Sequence, residues 1–387
     1  MKTSLEISAG LKSLYQTLWR TDPIVVHAPG RVNLIGEHTD YNDGFVMPAA
    51  IDRGISVALG KRSDHEIHLY SVQYEQYFTA TKESLKPSST LWANYILGVA
   101  AALVNSGYNF HGFNMAVDGN VPVGAGLSSS AAVECAAIYG LSVLFELDID
   151  RMSLAKMAQG AEHEFAGVMC GIMDQFASMF GRKGNVLKLD CRSLDYEYLP
   201  LDLSGYKIVL FNSNVNHSLA SSEYNIRRQQ CEQGVTWVKA ENSQVRSLRD
   251  VDVAMLNACV KTKDPLIYRR CKYVIEENER VQSSSVYLRN GDIASFGQKM
   301  YESHDGLSKD YGVSCKELDF LVNYVKGRQG VVGARMMGGG FGGCTINIVH
   351  NDRVEELIET ISQEYREKMG LNLETYIAVT ADGASVQ

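Results

Sequence analysis

The 387-residue chain has no apolar run of about 18 residues, the length that a membrane-spanning helix requires. Its first residues, Met1-Lys2-Thr3-Ser4-Leu5-Glu6, lack the apolar centre of a secretory leader. It has no surplus of positive charge. Lys and Arg number 37 against 45 Asp and Glu, a formal −8, which argues against a broad nucleic-acid or anionic-membrane surface. A small anionic substrate stays compatible, because a pocket can be locally positive. None of the eight cysteines forms a C-x-x-C pair, so they read as reduced, mostly buried thiols of a cytoplasmic protein. There is no low-complexity tract, no long linker and no repeat of solenoid length. The expectation is a cytoplasmic monomer with small-molecule substrates and neither nucleic acid nor membrane as partner. With 45% hydrophobic and 21% charged residues, the chain has the composition for a sizeable core and the length for two domains.

Several familiar motifs are absent or fail on inspection. There is no H-R-D or D-F-G set, so the chain is not a protein kinase. Gly54 to Lys61 resembles a P-loop, but the spacing is one residue too long and Arg62 stands where Ser or Thr is required. Gly338-Gly339-Gly340-Phe341-Gly342-Gly343 matches G-x-G-x-x-G, yet Cys344 to Val349 after it is strand-like, so no dinucleotide fold follows. That turn reads instead as one lying against a ligand or a phosphate loop. His65 and His68 fall on opposite faces of a strand and are not read as metal ligands.

Three stretches carry dense chemistry. The first is the run Gly124-Ala125-Gly126-Leu127-Ser128-Ser129-Ser130, which follows the apolar segment Phe113 to Val117 and precedes a helix starting near Ala131. Strand, small polar turn and helix start together suit a phosphate: glycines admit backbone N–H groups, and the helix end adds unpaired donors. The three serines could cap the helix, touch phosphate or ligate Mg²⁺. An ordinary Ser-capped helix is the alternative. The second is Ala28 to Gly44, where one Arg, one Glu, one His and two Asp share a loop with three glycines. Such groups suit ligand hydroxyls, the alternative being a solvated turn. The third is a helix spaced over Gly171 to Gly181. Ile172, Met173, Phe176, Met179 and Phe180 form its apolar face at about 100° per residue. Asp174 lies opposite, with Gly171, Ser178 and Gly181, so something bulky, or only solvent, can approach the carboxylate.

The remaining pattern alternates strands and helices, which predicts a layered architecture of α and β elements. Helices are expected over residues 4–20, 91–104 and most of 245–310. Phe45 to Leu59 reads as strands broken at Asp52-Arg53-Gly54. Residues 316–379 read as a small helix–strand–strand–helix–strand lobe. The polar stretch Asp195 to Gly205 marks a boundary to within about ten residues. Tyr224 lies on a polar helix, and its local sequence favours a surface position.

Order and spacing of three segments carry a resemblance over nearly the whole chain. Gly30-Arg31-Val32-Asn33-Leu34-Ile35-Gly36-Glu37-His38-Thr39-Asp40-Tyr41 closely resembles the galactokinase signature. Pro122 to Ala131 resembles the ATP-binding loop of the wider GHMP small-molecule kinases, and Arg335 to Gly343 resembles their third, glycine-rich motif. The resemblance implies an α+β, two-lobed GHMP-kinase fold of mixed and antiparallel sheets with helices packed on them, nucleotide and sugar lying between the lobes. Residues 1–205 would form the sugar- and phosphate-binding lobe and 206–387 a ferredoxin-like lobe. It implies transfer of the ATP γ-phosphoryl group, with Mg²⁺, to the anomeric hydroxyl of galactose. Asp174 would be the base and Arg31 would stabilise charge beside it. Glu37, His38, Thr39, Asp40, Gly171 and Tyr224 would line the sugar site. Gly124, Ala125, Gly126, Leu127, Ser128, Ser129 and Ser130 would form the phosphate loop, and Ser71 would touch the nucleotide. Ser130 and Glu162 would address Mg²⁺. Met337 departs from the Thr common at its position. A kinase for a related sugar, and a sugar sensor without catalysis, are the competing readings; the intact Ser128 to Ala132 portion argues against the sensor.

Overall fold

The computed structural model describes residues 2–122, 124–215 and 220–387. Among these residues thirteen strands appear in chain order: β1 Ile24–Asn33, β2 Phe45–Val46, β3 Pro48–Lys61, β4 Glu66–Ser71, β5 Gln76–Thr81, β6 Phe113–Gly119, β7 Asn185–Asp190, β8 Tyr196–Pro200, β9 Tyr206–Asn212, β10 Val331–Met336, β11 Cys344–His350, β12 Glu374–Ala378 and β13 Ser385–Val386. They make a six-stranded sheet ordered β13-β1-β3-β6-β4-β5, a four-stranded sheet β10-β11-β9-β12, and a small sheet β2-β7-β8. All pairings are antiparallel except β4 with β6.

The helices are α1 Ser4–Trp19, α2 Leu91–Asn105, α3 Ser129–Leu144, α4 Arg151–Ala161, α5 Met173–Phe180, α6 Ala220–Lys239, α7 Val253–Cys259, α8 Pro265–Arg289, α9 Ile293–Gly306, α10 Lys316–Val325 and α11 Val354–Met369. A capping box of Thr3 and Glu6 starts α1. The alanines of α3 let it lie close on β1 and β3, with Ala132, Cys135 and Ala136 fully buried. π-type turns, Glu162–Ala166 and Leu307–Tyr311, extend α4 and α9, and both end at a left-handed glycine.

β3 is a single strand, but its ladder with β1 is interrupted at Asp52-Arg53, where the pattern placed a break: Gly54 pairs with Pro29 and Ala50 with Arg31, so Ile51, Asp52 and Arg53 bulge opposite Gly30 alone. β9 enters the second sheet at Tyr206, but the tail returns: Val386 pairs with Val26 in the first sheet, and Thr380 bridges to Ile51. One core holds Val26, Val57, Leu210 and Ile346 together. The helices over 245–310 and the 316–378 lobe lie where the pattern placed them. None of the eight cysteines is bridged. Among the described residues, no helix is long and apolar enough to cross a membrane.

Candidate active site

Where the pairing of β1 with β3 shifts, Gly30 and Arg31 lie against the phosphate-loop run. A side chain at Gly30 would meet the Leu127 carbonyl at 2.6 Å, so only glycine lets the two backbones close. There the Arg31 N–H donates to the Leu127 carbonyl at 3.1 Å. The Arg31 side chain, 5% exposed, donates from Nη1 to the Gly126 carbonyl at 2.6 Å. Its Nε and Nη2 grip both oxygens of Asp174, at 2.7 and 2.8 Å. This fork-to-fork geometry fixes the carboxylate in orientation as well as charge. Burial pulls the Arg31 guanidinium down, but the charges of Asp174 and Glu37 outweigh it and hold the group above its ordinary value. Ser128 Oγ donates to Asp174 Oδ2 in a short contact. Ser128 is left-handed and does not cap α3, so its hydroxyl serves Asp174 instead of the helix.

The small-residue side of α5 is filled by protein, not solvent. Ser178 Oγ donates to the Pro29 carbonyl at 2.7 Å, and Gly181 leaves room for Ala50. The bulky group that reaches Asp174 is therefore β1 with its arginine.

A cavity of about 230 Å³ opens beside Asp174. Arg31, Glu37, His38, Asp40, Gly171 and Tyr224 line it, as do Glu162, Cys170 and the turn glycines Gly338 and Gly339. Its size suits one small polar molecule. Gly171 is required there: a Cβ would lie 2.0 Å from Asp40 Oδ2. Burial, then the nearby Asp174 charge, pushes the Asp40 carboxyl up to about 7. His38 pairs its Nδ1 with Tyr41 Oη at 2.7 Å, and Tyr41 Oη meets Tyr311 Oη at 2.8 Å. Burial and the Arg227 charge depress the His38 imidazole to about 3, so it is neutral. Tyr224 packs on His38, with ring centres 5.2 Å apart, which replaces the surface position expected from its local sequence.

Two expected site residues fall elsewhere. Thr39 is fully buried, with its hydroxyl within 2.8 Å of the Gly36 carbonyl and 2.6 Å of the Phe45 carbonyl. It closes the loop and does not face the cavity. Ser71 ends β4, and its hydroxyl accepts the Tyr74 N–H at 3.4 Å within its own turn. It is not among the cavity residues.

Other residues matter that sequence reasoning left without a role. Arg335, fully buried, donates to the Leu34 and Met336 carbonyls at 2.8 Å, to the Asn33 carbonyl, and to Glu37 Oε1 at 3.2 Å. Glu37 Oε1 also accepts the Gly338 N–H at 2.7 Å. An arginine inside an apolar strand, next to a glycine turn, is the signal that could have found it. The turn itself lies against the phosphate loop, with Gly338 over the Gly126 carbonyl, as expected. Met337 is buried, and its sulfur sits 3.4 Å from the Asn33 N–H.

Ser130, in the first turn of α3, lies beside the Glu162 carboxyl. Burial, then the Asp174 charge, pushes the Glu162 carboxyl above its usual range. One hydroxyl and one carboxylate are the hard-oxygen donors that Mg²⁺ takes when phosphate and water complete its shell. The residues present therefore fit that ion. Among the described residues no group of three or more His, Cys, Asp or Glu could hold a metal without such help.

Comparison with known proteins gives a consistent answer. Family models match for the galactokinase galactose-binding signature over residues 13–61, the GHMP kinases N terminal domain over 94–182, and the GHMP kinases C terminal domain over 285–367. The chain is 40% identical to the galactokinase of Thermotoga maritima over 92% of its length and 98% of that protein's. It is 41% identical to the galactokinase of a Roseiflexus species over 96% of its length and 95% of that protein's. The crystal structure of Lactococcus lactis galactokinase complexed with galactose matches with a TM-score of 0.95 at 32% identity, covering 98% of this chain and 100% of that one. Methanococcus jannaschii mevalonate kinase, at 17% identity and a TM-score of 0.66 over 94% of this chain and 100% of that one, shares the fold. On these matches, the chain belongs to the galactokinases, a branch of the GHMP kinase family.

Proposed function

We infer that the protein is a galactokinase, an ATP-dependent sugar 1-kinase that makes galactose 1-phosphate and ADP from D-galactose and MgATP in galactose metabolism. The observation that carries this reading is a single carboxylate at a junction. Asp174 borders a monosaccharide-sized cavity on one side and is hydrogen-bonded to the phosphate-loop residue Ser128 on the other.

In this reading Glu37, His38, Asp40 and Tyr224 meet the sugar. Carboxylates accept its hydroxyl protons, and the neutral imidazole and the phenol can donate or accept. Gly171 gives the sugar and Asp40 their space. The loop Gly124 to Ser130 takes the phosphates on its backbone N–H groups. Among the described residues, no acceptor meets the N–H groups of Gly126, Leu127 and Ser128. Asp174 orients the anomeric hydroxyl. As the bond from that oxygen to the γ-phosphorus forms and the bond to the ADP oxygen breaks, the proton passes to Asp174. Arg31 holds the Asp174 carboxyl group in place through its forked contact and adds positive charge beside the transferring group. Ser130 and Glu162 would hold Mg²⁺, which when bound offsets charge on the phosphate oxygens. The protein's share of the work is positioning, charge and exclusion of water.

ADP release measured against a panel of sugars, with and without Mg²⁺, tests the assignment. Release that needs both galactose and Mg²⁺ is expected. Galactose and ATP binding without ADP release would make the protein a sugar sensor, and faster release with another sugar would make it that sugar's kinase.

A further inference from the structure

Behind the Ser130 and Glu162 pair lies a buried polar cluster that no step above uses. Glu134, about one helical turn beyond Ser130 on α3, is fully buried. Gln175, adjacent to Asp174 on α5, is fully buried as well. Gln175 Nε2 donates to Glu134 Oε2 at 3.0 Å and to Glu162 Oε2 at 2.7 Å. The amide turns its NH₂ group, its only donor, toward both carboxyl groups. The other oxygens, Glu134 Oε1 and Gln175 Oε1, are buried with no partner among the described residues. A core that served packing alone would place apolar side chains here, because orphaned acceptors are costly. The cluster's contact with Glu162 supplies a reason for keeping it. Groups that hydrogen-bond a metal ligand fix its direction, and Glu162 sits where α4 passes into its π-type turn, with its backbone held by the Ala158 and Gln159 carbonyls and its carboxylate oriented by side-chain contacts.

We propose that Gln175, anchored by Glu134, is a positioning residue that aims the Glu162 carboxylate at the divalent cation of the bound nucleotide. Neighbours on α5 then divide the work: Asp174 faces Arg31 and the sugar, while Gln175 faces the cation side. The inference rests on the reading of Ser130 and Glu162 given above.

The test is Mn²⁺ binding, followed by the paramagnetic resonance of the free ion, in the presence of a non-hydrolysable ATP analogue. Galactose affinity is measured in parallel by calorimetry. Gln175→Met and Glu134→Met should weaken Mn²⁺ roughly 10–100-fold, the range for loss of a partner to a metal ligand. Glu134→Gln keeps an acceptor for the amide and should restore binding close to the native level. Galactose affinity should hold in all three. If Gln175→Met does not fold, the Glu134→Met and Glu134→Gln pair carries the same comparison. Native Mn²⁺ affinity in Gln175→Met, an equal loss of galactose affinity, or a Glu134→Gln variant as weak as Glu134→Met would each overturn the proposal. A native protein that binds no Mn²⁺ with nucleotide would remove the metal pair itself, and this inference with it.

Discussion

The two ends of the site are built in opposite ways. The sugar loop, residues 33–45, is clamped by groups far away in sequence. Arg335 holds the Leu34 carbonyl, Glu277 accepts the Gly36 N–H at 2.9 Å, Tyr273 donates to the Glu37 carbonyl at 3.0 Å, and Asn278 accepts the Phe45 N–H at 2.8 Å. The phosphate loop is tied down through its carbonyls, Gly126 and Leu127, by one arginine, while adjacent N–H groups have no acceptor among the described residues. The difference follows from the ligands. A hexose is neutral, so discrimination needs an array of polar groups fixed before it arrives. A triphosphate carries charge, and a row of unsaturated N–H donors at a helix start is already a site for it.

Substitutions at each end should separate these behaviours. The largest effect is expected where the ends meet. Asp174→Asn should lower kcat by about 10²–10⁴ while galactose binding survives in calorimetry; near-native turnover would remove Asp174 from the chemistry. Arg31→Ala should follow, costing about 10²–10³ in kcat with a smaller change in galactose KM. A loss confined to KM would make Arg31 a sugar-binding residue and shift the comparison toward the sugar side. Gly171→Ala tests the rigid end alone. Its Cβ cannot coexist with Asp40, and overpacking by about 1–3 kcal/mol corresponds to roughly 5- to 150-fold in galactose KM, with ATP KM unmoved. A rise in ATP KM of the same size would show that the ends are not independent.

The smallest effect is one of pH on stability without ligands. The folded Asp40 carboxyl is pushed up to about 7 from an ordinary 3.8, so between these values the folded state keeps a proton that the unfolded state has lost. Its contribution to stability is therefore greatest in acid and is lost as pH rises through 7. Asp40→Asn removes that dependence, so the Tm of Asp40→Asn minus that of the native protein should grow between pH 5 and pH 8 in thermal melts. A constant difference would mean that water in the cavity already solvates the carboxylate.

The chemistry-bearing stretches were legible because charged and glycine-rich residues crowd together for reasons that packing does not give. Asp174 stood out because the rest of its helix sorted into one apolar face. Thr39 misled because a hydroxyl in such a run looks like a ligand contact, while the loop needs that hydroxyl for its own backbone. Tyr224 misled in the other direction: a tyrosine on a polar helix looks exposed until His38 and Gly339, from two distant segments, close around it. Gln175 was invisible because one amide beside an aspartate has no periodic signal.

Local order determined the elements, the phosphate turn at a helix start and the residue types able to meet a sugar, since these depend on backbone freedom, side-chain chemistry and spacing along a few turns. Tertiary structure alone decided that Arg31 and Asp174, 143 positions apart, would form one forked pair, that Arg335 would lock Glu37, and that the last strand would join the first sheet. Those are long-range contacts, in which burial and geometry choose partners that no neighbouring residue announces.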